Sequence, residues 1–126
     1  MELTNQVCSL ELSQRLKELG VKQGSLFYRF QGEGHQYIFC KYYEQYSPHV
    51  DLDINDGYSA FTVSELGKMI PKYLNFNIEF DNSGKWMIHF CVNKDDHAIS
   101  FNDENLASLI AKTLIYLLEN GYIKNE

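Results

Sequence analysis

A histidine and a cysteine, His89 and Cys91, lie two residues apart in a segment whose apolar residues alternate with other side chains. Alternation is typical of a β-strand, in which side chains two positions apart share a face, so the pair could bind a soft metal ion or act as base and nucleophile. A zinc site normally needs four ligands, and no Cys-x-x-Cys or His-x-x-x-His pair is present to complete one with Cys40 or His97. The spacing therefore favours packing, and it predicts no metal ion, no cofactor and no enzymatic activity. An enzyme stays an alternative that requires an exposed, reactive thiolate at Cys91.

Oxygen donors alternate between Asp51 and Gly57, as they do in the loop of a calcium site. Counted from Asp51, however, the glycine expected at the sixth place falls at the seventh, and the twelfth place, which requires a bidentate glutamate, is Thr62. The spacing favours a solvated acidic loop over a calcium site. This loop belongs to the longest irregular stretch of the chain, residues 44–58, and compact domains seldom keep so long a connection without a function.

The chain is rich in aromatic residues, 14% of the total with nine tyrosines, and four tyrosines concentrate around one predicted strand and the loop after it. Tyrosine offers a large rigid contact area with a polar tip, so an exposed cluster would make a surface for binding another protein. The same rings could instead complete a small core, and both interpretations stay open. Nucleic-acid bases also stack on such rings, but few basic residues accompany these. The candidate binding residues are these tyrosines and the acids of the adjacent loop: Tyr37, Tyr42, Tyr43, Tyr46, Asp51, Asp53 and Asp56.

The elements that position these side chains should form one domain, because two cores would leave only about 60 residues each in a chain of 126. The net charge of −6 has the wrong sign for phosphate neutralisation, so nucleic acid is not expected as a direct partner. That charge would suit solubility, a basic protein partner or imitation of a phosphate backbone. The longest apolar stretch, residues 114–118, is far shorter than the roughly 20 residues of a membrane span, and no signal peptide is recognised. We therefore expect a cytoplasmic protein with reduced cysteines and no membrane partner.

Two segments in the first part of the chain predict short helices. Ser9 can cap the first, and Gly20 supplies a left-handed stop after leucines at spacings of three and four. Thr62 and Glu65 match a capping box for the second, in which each side chain accepts a hydrogen bond from the other residue's backbone amide. Pro71 disfavours helical geometry at the residue before it and limits this helix to about two turns.

The sequence pattern near the end of the chain predicts a third helix, which should be the central helix of the core. It opens at Asn102 or Asp103 and closes at Asn120-Gly121. Between these ends, residues at spacings of three and four form one stripe: Leu106, Leu109, Ile110, Thr113, Leu114 and Leu117.

The remaining segments predict β-strands. Residues 25–30 and 36–43 are rich in β-formers and should form a hairpin, and residues 76–80, 85–92 and 97–101 should form an antiparallel meander. In the first two strands of the meander, alternate aromatic and aliphatic residues predict one shared buried face. The order α-β-β-α-β-β-β-α predicts a single α+β domain, in which three helices pack on an antiparallel sheet of about five strands.

Three segments, in this order, carry a family resemblance: residues 7–28 (VCSLELSQRLKELGVKQGSLFY), 59–71 (SAFTVSELGKMIP) and 114–123 (LIYLLENGYI). Together they resemble a family of small uncharacterised proteins of bacteriophages and prophages. The segments coincide with the predicted helices and their caps, so the resemblance implies a shared scaffold. The family has no assigned active site to carry over, and the resemblance implies a bacterial host cell as the location.

These observations lead to one hypothesis and one alternative. We expect a phage-encoded or prophage-encoded accessory protein that binds a host or phage protein. A sharper form is an inhibitor of a host defence system, similar to an anti-CRISPR protein, in which Asp51, Asp53 and Asp56 imitate phosphates. The alternative is a small structural or homo-oligomeric protein, such as a homodimer, in which the aromatic residues meet across a symmetric interface.

Overall fold

A computed structural model describes residues 6–32, 35–40, 57–92 and 98–124 of the chain. For residues 30–32, 35–37 and 39–40 it describes the backbone only. Its helices are α1 (Leu10–Glu18), α2 (Val63–Met69) and α3 (Leu106–Glu119). The α+β class and the predicted order of the elements are confirmed, with one additional short strand, β3. The strands are β1 (Phe27–Gly32), β2 (His35–Cys40), β3 (Tyr58–Ser59), β4 (Asn75–Phe80), β5 (Trp86–Cys91) and β6 (Ile99–Asp103).

The strands form two antiparallel sheets, where the sequence led us to expect one sheet of about five strands. The first sheet has the order β2-β1-β3 and the second the order β4-β5-β6. Both edges of β1 are occupied, and β3 ends at Ser59 because Thr62 already caps the next helix. The first sheet therefore ends before it reaches β4.

Local signals in the sequence determine where the first two helices begin and end. The Ser9 side chain accepts a hydrogen bond from the Leu12 amide, and Gly20 follows α1 with a φ of 87°. Helix α2 ends at Ile70, whose ψ of 132° is extended because Pro71 follows. These predicted caps and stops are confirmed.

Helix α3 is the centre of the fold. It begins after Asn105, and not at Asn102 or Asp103 as predicted, because β6 continues to Asp103. Nine of its 14 residues are buried, which is typical of a helix with packed neighbours on most sides. It ends at Asn120, and Gly121 follows with a φ of 73°, as predicted.

Two apolar clusters pack against α3. One joins α1, α2 and α3, with Leu16, Leu66 and Leu114 at its centre. The other joins α3 to the second sheet and contains Ile88 and Phe90. Because α3 contributes to both clusters, the described elements form one α+β unit.

The segment before α1 passes through the interior and holds the elements together. Its backbone pairs with Thr62, and the Cys8 amide donates to the Phe61 carbonyl at 3.0 Å. The Asn105 side chain donates to the Val7 carbonyl at 2.8 Å, and its oxygen caps α3 by accepting from the Ser108 amide. Removal of one side chain, that of Asn105, would therefore disturb both α3 and this segment.

Burial shifts the pKa values of two groups that meet at this segment. Cys8 is fully buried, and this burial raises the pKa of its thiol, whose sulfur lies 3.1 Å from Ser13 Oγ. The Arg29 guanidinium is buried beside it and donates from Nε to the Cys8 carbonyl at 2.8 Å. Loss of solvation lowers the pKa of Arg29.

The turn between β4 and β5 is held by one carboxylate. Asp81 accepts hydrogen bonds from Ser83 Oγ at 2.6 Å and from the Lys85 amide at 3.0 Å. The Ser83 bond, followed by the bond to Lys85, holds the pKa of Asp81 below its ordinary value. Gly84 completes the turn with a φ of 87°.

In the part of the chain that the structure describes, no helix is long and apolar enough to cross a membrane. The longest, α3, has 14 residues.

Candidate functional site

The structure describes little of the surface that the sequence predicts for binding. Tyr37 lies in β2, where its backbone is opposite Phe30 of β1. The predicted tyrosine and acid surface therefore stays a prediction. Its other members lie outside the described residues: Tyr42, Tyr43, Tyr46, Asp51, Asp53 and Asp56.

His89 and Cys91 lie on β5, at alternate positions of the face of the second sheet that is turned away from α3. His89 Nδ1 lies 2.7 Å from Ser100 Oγ, the residue opposite it on β6. A base of a catalytic set is normally oriented by a third group, and the described residues show no carboxylate bonded to this ring. Cys91 is partly buried and lies opposite Asn75, not beside the Ser100 hydroxyl. The described residues also contain no group of three acidic, histidine or cysteine side chains placed to hold a metal ion.

A different feature, an apolar groove, lies between α2 and the second sheet. The start of α2 is fixed by its capping box: Thr62 Oγ1 accepts from the Glu65 amide at 3.2 Å, and Glu65 Oε1 accepts from the Thr62 amide at 3.0 Å. The Glu65 carboxylate also accepts from Ser25 Oγ at 2.7 Å, which anchors this side of α2 to the chain before β1. Positions 63, 67 and 70 lie on the opposite side of the helix, because a helix has 3.6 residues per turn. That side faces the groove.

The opposite wall of the groove is the inner face of β4, which extends past the helix layer. Helix α3 packs on β5 and β6, where Ile88 and Phe90 are buried. On β4, in contrast, Phe76 is 47% exposed and Phe80 59% exposed. The prediction of one alternating face is thus correct, but the prediction that all of this face is buried is wrong at β4, because neither α2 nor α3 covers the ends of this strand.

Two cavities lie along this side of α2, about one helical turn apart, because Val63 lines one and Gly67 the other. At one end Val63, Ser64, Trp86 and Glu104 line an open cavity of about 570 Å³. At the other end, a smaller cavity of about 80 Å³ is lined only by apolar groups: Gly67, Ile70, Phe76, Ile78, Ile88 and Ile110. We call the space bounded by the following residues the α2–β4 groove: Val63, Gly67 and Ile70 of α2, and Phe76, Ile78 and Trp86 of the β4–β5 hairpin.

The missing side chain of Gly67 keeps the narrow end of the groove open. A Cβ placed on this residue meets no heavy atom within 4 Å, and Gly67 is not among the described glycines with a positive φ. The helix therefore does not require glycine here, and the free volume beside it belongs to the groove. At the wider end, the Trp86 ring packs edge-on against Phe80, with 4.8 Å between the ring centroids. This arrangement fixes the aromatic wall.

The chain matches no family model, no curated protein and no solved structure. The chemistry of the groove is therefore the basis for the functional proposal below.

Proposed function

We propose that the protein acts by binding another protein, and that the α2–β4 groove receives an apolar segment of that partner. The observation that carries this proposal is the exposure of Phe76, which lines an apolar cavity, and of Phe80, whose ring packs against Trp86 at the wider end of the groove. Ile78 lies between these two residues on the same face of β4, and contiguous exposed apolar side chains are typical of sites that bind a protein or a ligand. Two cavities of different size along one groove suit a peptide segment with side chains at intervals better than they suit a single compact small molecule.

The lining of the groove indicates what the bound segment should look like. The narrow end offers only apolar groups, so an aliphatic or aromatic side chain fits there. The wide end combines the Trp86 ring with the Glu104 side chain, a pair that suits a lysine or arginine head group. A net charge of −6 also attracts a basic partner. The partner segment should therefore be apolar with a basic residue at one end.

The resemblance of residues 7–28, 59–71 and 114–123 to phage and prophage proteins supports a wider form of this proposal. In that form the partner is a bacterial host protein, such as a component of a defence system, and the predicted tyrosine and acid surface adds a second contact. A capture experiment from a bacterial lysate, repeated with Tyr42 and Tyr43 changed to alanine, tests that second contact. Loss of a captured protein with the double variant would support it, and unchanged capture would contradict it.

The groove itself is tested with a library of displayed random peptides. Peptides selected on the wild-type protein are measured against two variants that add the same large side chain. Gly67→Trp fills the groove. Gly24→Trp adds its ring on the other side of α2, where a Cβ also meets no heavy atom within 4 Å.

We expect the selected peptides to be apolar with a basic flank. Their affinity should fall at least about 100-fold for Gly67→Trp and stay within about threefold of wild type for Gly24→Trp. Equal binding by both variants would contradict the proposal, as would selection of peptides without this pattern. Far-ultraviolet circular dichroism of each variant confirms that it is folded.

A further inference from the structure

The outer edge of β4 is a second unusual feature, distinct from the groove. β4 is an edge strand of its sheet, and no strand of the described ranges pairs with its outer side. Natural edge strands are normally protected by charged side chains, especially lysine, by proline or by a bulge. The six residues of β4, NFNIEF, contain no lysine or proline and a single charged side chain, that of Glu79, and their pairing with β5 is regular over the whole strand. Within the described ranges, the outer edge of β4 is therefore only weakly protected against pairing with another strand.

The pairing with β5 determines which backbone groups face outward. The Asp81 amide donates to the Lys85 carbonyl at 2.9 Å, so the backbone of Asp81 faces β5. Because successive residues of a strand alternate in direction, the residues at 79, 77 and 75 also bond to β5. The backbone groups of Phe76, Ile78 and Phe80 therefore face the free edge.

We propose that a second copy of this chain covers this edge through antiparallel pairing of β4 with β4, centred on Ile78. In this register Ile78 lies opposite Ile78 of the other copy, and Phe76 lies opposite Phe80 of the other copy. All three outward-facing residues of each strand then pair, which gives about six hydrogen bonds, two at each of three residue pairs. The pairing is isologous, as a twofold dimer requires.

The side chains fit this register on both faces of the strand. On the inner face, each exposed Phe76 packs against the exposed Phe80 of the other copy. On the outer face, Asn77 lies opposite Glu79 of the other copy. The two residues are chemically compatible, because within one strand Asn77 Nδ2 already donates to Glu79 Oε1 at 2.9 Å.

The neighbouring registers are worse. A shift in one direction places Glu79 opposite Glu79 of the other copy, and like charges directly opposite destabilise a strand pair. A shift in the other direction places Phe80 opposite Leu74, which lies outside β4 and is already buried in its own chain. Charge and strand length thus favour the register centred on Ile78.

This pairing joins the second sheet of one copy to the second sheet of the other, which gives one sheet of six strands with the helices of both copies on the same side. The two α2–β4 grooves then face each other across the twofold axis. The inference goes beyond the proposed function and does not depend on it, because it rests on strand pairing along the backbone edge of β4, although Phe76 and Ile78 also line the groove.

Cysteine crosslinking tests the register. In hydrogen-bonded antiparallel pairs the Cα atoms are about 5.5 Å apart, which is within the range of a disulfide. Under mild oxidation, Ile78→Cys should form a covalent dimer in most of the protein. Phe76→Cys, on the same strand and face, should give no more dimer than wild type, because its counterpart is Phe80. Equal dimer yields for the two variants would overturn the register.

The mass in solution tests the dimer without any crosslink. Wild type should have twice the mass of one 14.7 kDa chain in sedimentation equilibrium. The double variant Phe76→Lys/Phe80→Lys places like charges opposite each other and should raise the dimer dissociation constant roughly 100-fold. Phe76→Lys/Phe80→Glu places opposite charges there and should return it to within about tenfold of wild type.

The outcomes test the dimer separately from the groove. A wild-type protein that stays monomeric at all concentrations overturns the dimer, as does identical behaviour of the two double variants. Circular dichroism establishes that both variants are folded. Gly67→Trp should leave the mass unchanged, since position 67 is on α2. A monomer that still binds the selected peptides would remove this inference and leave the groove proposal in place.

Discussion

Replacement of Gly67 in α2 should change stability and binding in opposite directions, because glycine weakens the helix but leaves room in the groove. Glycine inside a helix is less stable than alanine by about 0.5–1 kcal/mol. At Gly67 an added Cβ meets no heavy atom within 4 Å, so nothing offsets this gain. We expect Gly67→Ala to raise the free energy of unfolding by about 0.5–1 kcal/mol, which is about 2–5 °C in the unfolding midpoint for a chain of this size.

The matched comparison is Gly84→Ala, in the turn between β4 and β5. Gly84 also has open space around a Cβ, but its φ of +87° is strained for any residue with a side chain. This variant should lose about 1 kcal/mol. Urea unfolding followed by circular dichroism measures both free energies. A loss of stability for Gly67→Ala would refute the described geometry of α2, and a gain for Gly84→Ala would refute the left-handed φ of the turn.

The same Gly67→Ala variant should bind groove peptides less well than wild type, by about threefold to tenfold, since one methyl group occupies part of a small cavity. A protein that is more stable and binds less tightly is the expected pattern where a helix keeps a glycine for function. Unchanged binding, measured by isothermal titration, would show that Gly67 has no part in the groove, and tighter binding would contradict the need for an open volume there.

Further predictions concern the turn, the thiols and the cap of α3. In the folded protein the pKa of Asp81 is lowered, first by the bond from Ser83. The ionised carboxylate therefore stabilises the fold fully above the ordinary pKa of 3.8, and this stabilisation is lost as the pH falls through the lower folded value. In acid unfolding curves, the difference in free energy of unfolding between wild type and Asp81→Asn should shrink as the pH falls from 3.8 through the folded pKa. In native protein at neutral pH, iodoacetamide should modify the partly exposed Cys91 before the fully buried Cys8, and mass spectrometry that finds Cys8 modified first would contradict its burial. Asn105→Ala removes the cap of α3 and the bond to the segment before α1. In urea unfolding this variant should lose about 2 kcal/mol of the free energy of unfolding, and a loss below about 0.5 kcal/mol would contradict both roles.

Local signals explain why much of the fold could be predicted from the sequence. Caps and stops such as Ser9, Thr62 and Pro71 act through neighbouring backbone groups, so the residues alone determine where a helix begins or ends. The start of α3 was predicted too early because Asn102 and Asp103 continue β6, and pairing with another strand depends on residues distant in sequence. The division into two sheets depends on the same kind of distant pairing.

The groove could not be predicted from alternation alone. The pattern of β4 shows which side chains share a face, but it does not show whether a helix covers that face. The relevant quantity is length: α2, with seven residues, is about 10 Å long, whereas six residues of strand are about 20 Å long. Pro71, which limits α2, was the available signal that part of β4 stays uncovered. The predicted tyrosine and acid surface stays a prediction.

The isoleucines of the chain provide the most direct test of the central claim, that a partner segment binds in the α2–β4 groove. Ile70, Ile78 and Ile110 line the narrow end of the groove, whereas Ile38 lies on β2, next in sequence to Tyr37. In methyl NMR spectra of the full chain, addition of a selected peptide should shift the methyl signals of the three groove residues and leave Ile38 unchanged. A shift of Ile38 with unchanged groove signals would contradict the claim and place the contact on the first sheet.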